Sequence, residues 1–386
     1  MERIYLDHNA TTPLHPEVLE AMARCWLEGF ANPASQHQPG QRARRVLEDA
    51  REEIAELFGA EGSGPRADRV VFTSGGTEAN NLAVLGIARA SCREGPGHVV
   101  VSAIEHASVL EPAEHWLEQG WRVDSLGVTD QGVARANLLP GLLSPATRLV
   151  SVMLGNHETG VLQPVTELAR TCAEAGVPMH TDAVQVAGKL PVRFRELGVA
   201  ALSVAAHKFQ GPLGIGALLV RDDLPLEPLE FGGPQQWGLR PGTQCVPLVI
   251  GMLTALRIWR RDGEAHRCRL ATLRDRFEAR LRAGFPDLIV NGAGAERLPQ
   301  TSNVAFPGLD GQQLLLALDS VMGIACSVGS ACSSGSSELS PTLLAMRLPK
   351  EVVAGSLRFS LGVTTTEAEI DEAVRRILLV VNELRS

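Results

Sequence analysis

The sequence predicts an α/β fold: a mostly parallel sheet covered by helices on both faces, followed by a smaller α+β unit. Three observations carry this expectation. Short apolar runs alternate with helix-patterned segments for roughly two hundred residues, the signature of parallel strands joined by crossover helices. Polar residues cluster repeatedly just past the carboxyl end of an apolar run, where open α/β sheets bind ligands. Near residue 255 the composition turns to Arg/Glu-rich helices, which divides the chain into a large unit over 15–255 and a small one built from 1–14 and 256–386.

The 386 residues are 45% hydrophobic and 21% charged, with a net charge of -8. That is enough chain for a large core. The negative balance argues against nucleic acid or an anionic membrane as a partner. No apolar run has the length of a transmembrane helix, and the start, MERIYLDHNATTP, lacks the basic-then-apolar pattern of a secretory signal. Seven scattered cysteines without a CxxC pair speak against a disulfide framework or a structural zinc site. A reducing, cytoplasmic setting is therefore expected, with no resident metal.

In chain order, Ile4-Tyr5-Leu6-Asp7 is a short apolar start that runs into the turn-rich HNATTPLHP. Residues 16–26 read as a helix with Pro in its first turn. Residues 30–40, FANPASQHQPG, are irregular and polar and contain Asn32; 41–58 is helical, with Val46, Ala50, Ile54 and Leu57 on one face. In 69–86, RVVFTSGGTEANNLAVLG, a buried strand meets a tight turn, with a helix from Glu78. A Gly-Gly turn that opens a helix aims free backbone N–H groups at one spot, which suits a phosphate. By itself it is also an ordinary strand-to-helix turn. It is neither GxGxxG nor a Walker motif, so nicotinamide and ATP gain no support.

Strands at 98–102, 122–126 and 148–154 then alternate with helices at 109–119 and 165–175; the third strand ends in Gly155-Asn156-His157-Glu158-Thr159-Gly160. Residues 178–185 bring Asp182 and Gln185. Residues 202–220, LSVAAHKFQGPLGIGALLV, read as strand, Gly/Pro loop and strand, with Lys208 where the backbone turns. A lysine in such a run either snorkels to water or has a task. Desolvation lowers its pKa and frees the amine as a nucleophile. Residues 231–246 are Gly/Pro-rich and include Thr243. Helices are expected at 247–260, 263–285, 312–318 and 367–384, with strands at 302–306 and 357–360. The stretch GIACSVGSACSSGSSELS, 323–340, is dominated by Gly and Ser and holds Cys326 and Cys332. Such a composition makes a mobile loop on which a thiol is accessible.

A lysine at one strand end, a carboxylate at another and a glycine turn at a third together suggest pyridoxal phosphate. The lysine would form the Schiff base, Asp182 would keep the pyridine nitrogen protonated, and the helix start would hold the phosphate. The same residues carry a resemblance over essentially the whole chain. The motifs YLDHNATTP, FANPASQH, VVFTSGGTEANN, IEHASVLEP, NHETGVLQPV, HTDAVQVAGKLPV, HKFQGPLGIGAL, RPGTQCVP, SVGSACSSGSSELSP and LRFSLGVTTTEAEID resemble the cysteine desulfurases. These are class-V aminotransferases, and the branch is the one that includes the iron–sulfur-assembly and nitrogen-fixation enzymes.

The resemblance implies the fold of a fold-type I pyridoxal-phosphate transferase, with a seven-stranded sheet in the large domain. It implies that Lys208 binds the cofactor and takes the α-proton, Asp182 pairs with the pyridine nitrogen and Gln185 bonds the ring oxygen. His106 would stack on the ring and help move protons. Gly76, Thr77, Ala205 and His207 would line the phosphate, with Thr243 reaching in from a second subunit. Arg358 would clamp the carboxylate of L-cysteine, assisted by Asn32. Cys332 would accept the sulfur for an acceptor or iron–sulfur scaffold protein, and is the one candidate ligand for a transferred iron–sulfur cluster. A homodimer is implied. Two residues depart from the family: His157 stands where asparagine is usual, against the ring oxygen, and Ala205 where a serine often donates to the phosphate. Three alternatives remain at this stage: a selenocysteine lyase, a catalytically silent desulfurase-like scaffold, and another pyridoxal-phosphate lyase or transaminase. The cysteine loop speaks against the last.

Overall fold

The structure is a computed structural model that describes residues 2–29, 31–91, 95–329 and 339–385. Among these residues the strands are β1 (Ile4–Tyr5), β2 (Arg69–Thr73), β3 (His98–Ser102), β4 (Arg122–Leu126), β5 (Thr147–Ser151), β6 (Met179–Asp182), β7 (Ala201–Ala205), β8 (Gly216–Val220), β9 (Ile289–Val290), β10 (Thr301–Ala305), β11 (Ile324–Ala325) and β12 (Ser356–Ser360). Seven of them form one sheet in the order β2-β8-β7-β6-β5-β3-β4. Strands β3 to β7 pair in parallel. β8 alone runs against its neighbours β7 and β2. Every residue of β3, β7 and β8 is buried, as a sheet with helices on both faces requires. Each buried Val or Leu there contributes about 1.5–3 kcal/mol relative to exposure.

Strand β2 is an edge, and its open side is closed by one side chain. The Gln236 amide accepts from Phe72 N at 2.7 Å and donates to Phe72 O at 2.8 Å, imitating a missing strand. The helix after β2 starts at Gly76, two residues earlier than the sequence suggests, so Gly76 and Thr77 occupy its first turn. It passes into a π-helical segment, Leu82–Ile87. There a Cβ on Gly86 would stand 2.5 Å from Glu227 O, so only glycine lets that loop dock.

The two helices expected at 247–260 and 263–285 are one, Val246–Gly284, of 39 residues. The charged Arg260-Arg261-Asp262 and the following glycine suggest a break. Gly263 is nevertheless buried in the middle of the helix, where a Cβ would meet Trp259 Nε1 at 2.7 Å. The cost of a helical glycine, about 1 kcal/mol, is offset by that close packing. The early part of the helix, including Val249, Leu253 and Leu256, packs into the core of the large sheet. Leu270, Leu273, Phe277 and Leu281 pack into a second core with Ile4, Leu6, Phe359 and Ile377.

That second core lies under a three-stranded antiparallel sheet, β12-β10-β9, and the parallel pair β1-β11. Bridges from Asp7 to Ser360 and from Ser327 to Arg358 tie the two together. Among the described residues no helix is long and apolar enough to cross a membrane.

Candidate active site

Because β3, β5, β6 and β7 are parallel, their carboxyl ends open on the same edge of the sheet. A cavity of about 230 Å³ lies there, and it gathers Gly76, Thr77, His106, His157, Asp182, Gln185, Ala205, His207 and Lys208 with Asn80, Ser108, Met153, Gly155 and Val184.

Lys208 leaves β7 through one 3-10 turn, Ala206–Lys208, and not as a plain loop. Its Nζ donates to the carbonyls of Asn9 at 2.5 Å and Ala10 at 2.8 Å. The NATTP turn brackets it from the other side: Thr12 donates to His207 O through its N–H at 3.0 Å and its hydroxyl at 2.7 Å. Gln185 Nε2 donates to the same Asn9 carbonyl at 3.0 Å, so one backbone oxygen joins both cavity residues. Burial and the charge of Lys208 hold the His207 imidazole down at about 4.

Asp182 ends β6 and is 7% exposed. Its Oδ2 accepts from Asn80 Nδ2 at 2.7 Å and its Oδ1 from Val184 N at 2.8 Å, so the carboxylate is held in one orientation. Next to it lies Glu105, which accepts from Ser102 Oγ and, at 2.7 Å, from Met153 N. Complete burial pushes its carboxyl up to about 8 despite those two donors, with the Asp182 charge adding to the rise.

His106 caps the helix Ala107–Glu118: its Nδ1 accepts from Ser108 N at 3.1 Å. That bond fixes the ring at the cavity edge. His157 meets it edge-on, with ring centroids 5.3 Å apart. The His157 Nδ1 is buried without a hydrogen-bond partner among the described residues. Burial, then the nearby His106, Arg358 and Lys208, hold this imidazole neutral, well below the usual histidine range.

Arg358, on β12, is 3% exposed and does not line the cavity; it stands behind His157. It donates to His157 O at 3.1 Å and to Asp7 Oδ1 at 2.7 Å, and its Nε has no hydrogen-bond partner among the described residues. Asn32 and Thr243 are exposed and also outside the cavity, in mutual contact at 3.5 Å. Cys332 lies outside the described residues. Cys326 packs against the smaller core, and burial pushes its thiol far up, so it is a poor nucleophile.

Sequence reasoning missed Asn9, Asn80, Ser108 and Glu158. The spacing carries a faint signal for Asn80: four residues after Gly76, it lies on the same helix face as the glycine turn. Nothing in a sequence pattern marks Asn9, which acts through a backbone carbonyl.

The residues present fit a phosphorylated aldehyde cofactor on two observations. A Cβ on Gly75 would meet nothing within 4 Å, so the turn opens onto free space, and a Cβ on Gly76 would stand 2.9 Å from Val184 Cγ2. Lysine, carboxylate and helix start are the donor set such a group needs. Fold and cavity together define a lysine-bearing α/β transferase. The family model Aminotransferase class-V, a family of pyridoxal-phosphate enzymes, matches residues 4–373.

The chain belongs to that family, and within it to the cysteine desulfurases. It is 40% identical over 384 residues to the cysteine desulfurase IscS of Dictyoglomus turgidum, covering 99% of this chain and 95% of that protein. A cysteine desulfurase of Cereibacter sphaeroides is 42% identical over 389 residues, covering 100% and 97%. A solved NifS-like protein superposes with a TM-score of 0.91 at 32% identity, covering 99% of this chain and 100% of that one. A NifS-like protein from Rickettsia africae gives 0.88 at 28% identity, with the same coverage.

Proposed function

We propose that this chain is a cytoplasmic, pyridoxal-phosphate-dependent cysteine desulfurase. It converts L-cysteine to L-alanine and leaves the sulfur as a persulfide on Cys332, for delivery to an acceptor or iron–sulfur scaffold protein. The observation that carries the reading is the Lys208 turn and the oriented Asp182 carboxylate, at the ends of neighbouring parallel strands on one cavity with the Gly76 helix start.

When bound, pyridoxal phosphate supplies an aldehyde for the amine and a ring that withdraws electrons from the substrate's α-carbon. Lys208 Nζ would hold the cofactor's aldehyde and would be the base for the substrate's α-proton. Asp182, oriented by Asn80, would keep the ring nitrogen protonated. The N–H groups of Gly76 and Thr77, with His207, would hold the phosphate, joined by Thr243 from the second copy of a homodimer. Ala205 offers no hydroxyl, a loss of roughly 1–3 kcal/mol if left uncompensated. Gln185 and the neutral His157 would hold the ring oxygen, and His106 would hold the ring and pass protons.

Arg358 binds the substrate carboxylate through its planar fork, with Asn32 beside it. The Cys332 thiolate attacks the substrate sulfur. An S–S bond forms, the Cβ–S bond breaks, and the electron pair stays on the carbon skeleton, where protonation gives alanine. The two hydrophobic cores support a division of the chain near residue 255, with the small unit carrying the cysteine segment.

The test is alanine release from cysteine by the loaded enzyme, alongside the cofactor's visible absorbance band. Wild type should show both and Lys208→Ala neither. A wild-type protein that binds the cofactor and releases no alanine would contradict the reading.

A further inference from the structure

We propose that Glu158 is a positioning residue for sulfur transfer, fastening both ends of the Cys332-bearing segment to the turn that bears His157. This rests on the desulfurase reading above. Glu158 is 2% exposed. Its backbone is fixed on both sides: its N–H donates to Asn156 Oδ1 at 3.0 Å, and its carbonyl accepts from Asn303 Nδ2 at 3.4 Å. The main chain that carries the carboxylate is therefore held in place.

One of its oxygens, Oε2, meets both flanks of residues 330–338. Ser340 Oγ donates to it at 2.6 Å. A Cβ built on Gly329 would stand 1.7 Å from it, so the backbone at 329 rests directly on the carboxylate. The Ser340 hydroxyl also accepts from Leu343 N at 3.1 Å and so caps the helix Pro341–Ala345. On the outgoing side, Ser327 exchanges two backbone hydrogen bonds with Arg358, at 3.1 and 2.7 Å. The described flanks of the segment thus lie beside Arg358 and on Glu158, and both residues adjoin His157, which lines the cavity.

The thiol must approach the substrate sulfur to about 3–3.5 Å. How often it does so depends on where the segment's ends are held. Glu158 takes no part in the electron flow of the transfer itself. Burial pushes its carboxyl pKa up, so a neutral amide is a fair replacement, and Glu158→Gln keeps an oxygen for Ser340.

The experiment uses the loaded enzyme and two readouts. One is the change in the cofactor's visible spectrum when cysteine binds. The other is the single-turnover rate of persulfide formation on Cys332, followed by mass spectrometry. Glu158→Ala should slow persulfide formation about tenfold or more, as for loss of one buried hydrogen bond, with the spectral change intact. Glu158→Gln should stay within about threefold of wild type. Gly329→Ala should be slow as well, and the double variant Glu158→Ala/Gly329→Ala no slower than Glu158→Ala alone. Gly329→Ala keeps the test alive if Glu158→Ala does not fold.

Wild-type rates in Glu158→Ala, or equal loss of both readouts, would overturn the proposal. Absence of persulfide on Cys332 in the wild type would instead overturn the desulfurase reading, and the proposal with it.

Discussion

Lys208 and Asp182, each an ordinary strand-end charge when read alone, were legible as candidates through their conjunction with the Gly75-Gly76 turn. What aims them was not. Asn80 reaches Asp182 across 102 positions, and Asn9 holds Lys208 through a carbonyl; both relations exist only after folding. Replacing Asn80 with Ala removes one of two donors to Asp182, worth about 1–3 kcal/mol. We expect kcat to fall roughly tenfold or more, with the cofactor still bound by its absorbance. Undiminished kcat would contradict the assigned role. His157 is titratable by type but held neutral by burial and three neighbours. Its folded pKa lies below its ordinary value, so its protonation belongs to acidic solution. His157→Asn should therefore leave the ionisations of the kcat/KM profile unchanged between roughly pH 6 and 9. Loss of a limb in that window would show that His157 titrates there.

At the scale of elements, strands were the most readable part. The runs at 98–102 and 122–126 coincide with β3 and β4. Helix limits were less so, because tertiary contacts decide them: Gly263 continues a helix that a solvated glycine would weaken, and Gly76 starts one where its backbone packs closely on Val184. The Gly76 turn yields a direct test. Gly76→Ala pushes a Cβ to 2.9 Å from Val184 Cγ2, so cofactor should dissociate about tenfold faster or more in a dilution assay. Unchanged retention would contradict a phosphate role for this turn. The junction of β3 and β5 gives a second. Glu105 titrates near 8 when folded and near ~4.3 when unfolded. Because the folded value is raised, its contribution to stability is complete below the unfolded pKa and is lost as pH rises through the folded one. Glu105→Gln removes this dependence, so its Tm should fall less than the wild type's between roughly pH 5 and 8. Parallel Tm curves would contradict it.

Across the whole molecule, two cores share one helix, Val246–Gly284, and Cys326 and Val328, which precede the cysteine segment, pack on the smaller of them. The flanks of that segment also meet Arg358 and Glu158, which adjoin His157 at the cavity of the larger. The composition shift near residue 255 was readable in the sequence, as a proposed boundary between two units. The helix that runs through that point was not, since charge patterning marks solvent exposure on a helix and does not mark its end. The central claim joins the two units in one reaction: chemistry prepared at Lys208 ends as sulfur on Cys332. Mass spectrometry of the loaded enzyme after incubation with cysteine tests it most directly. The account expects one added sulfur on Cys332, absent in Lys208→Ala; persulfide confined to Cys326, or none at all, would contradict it.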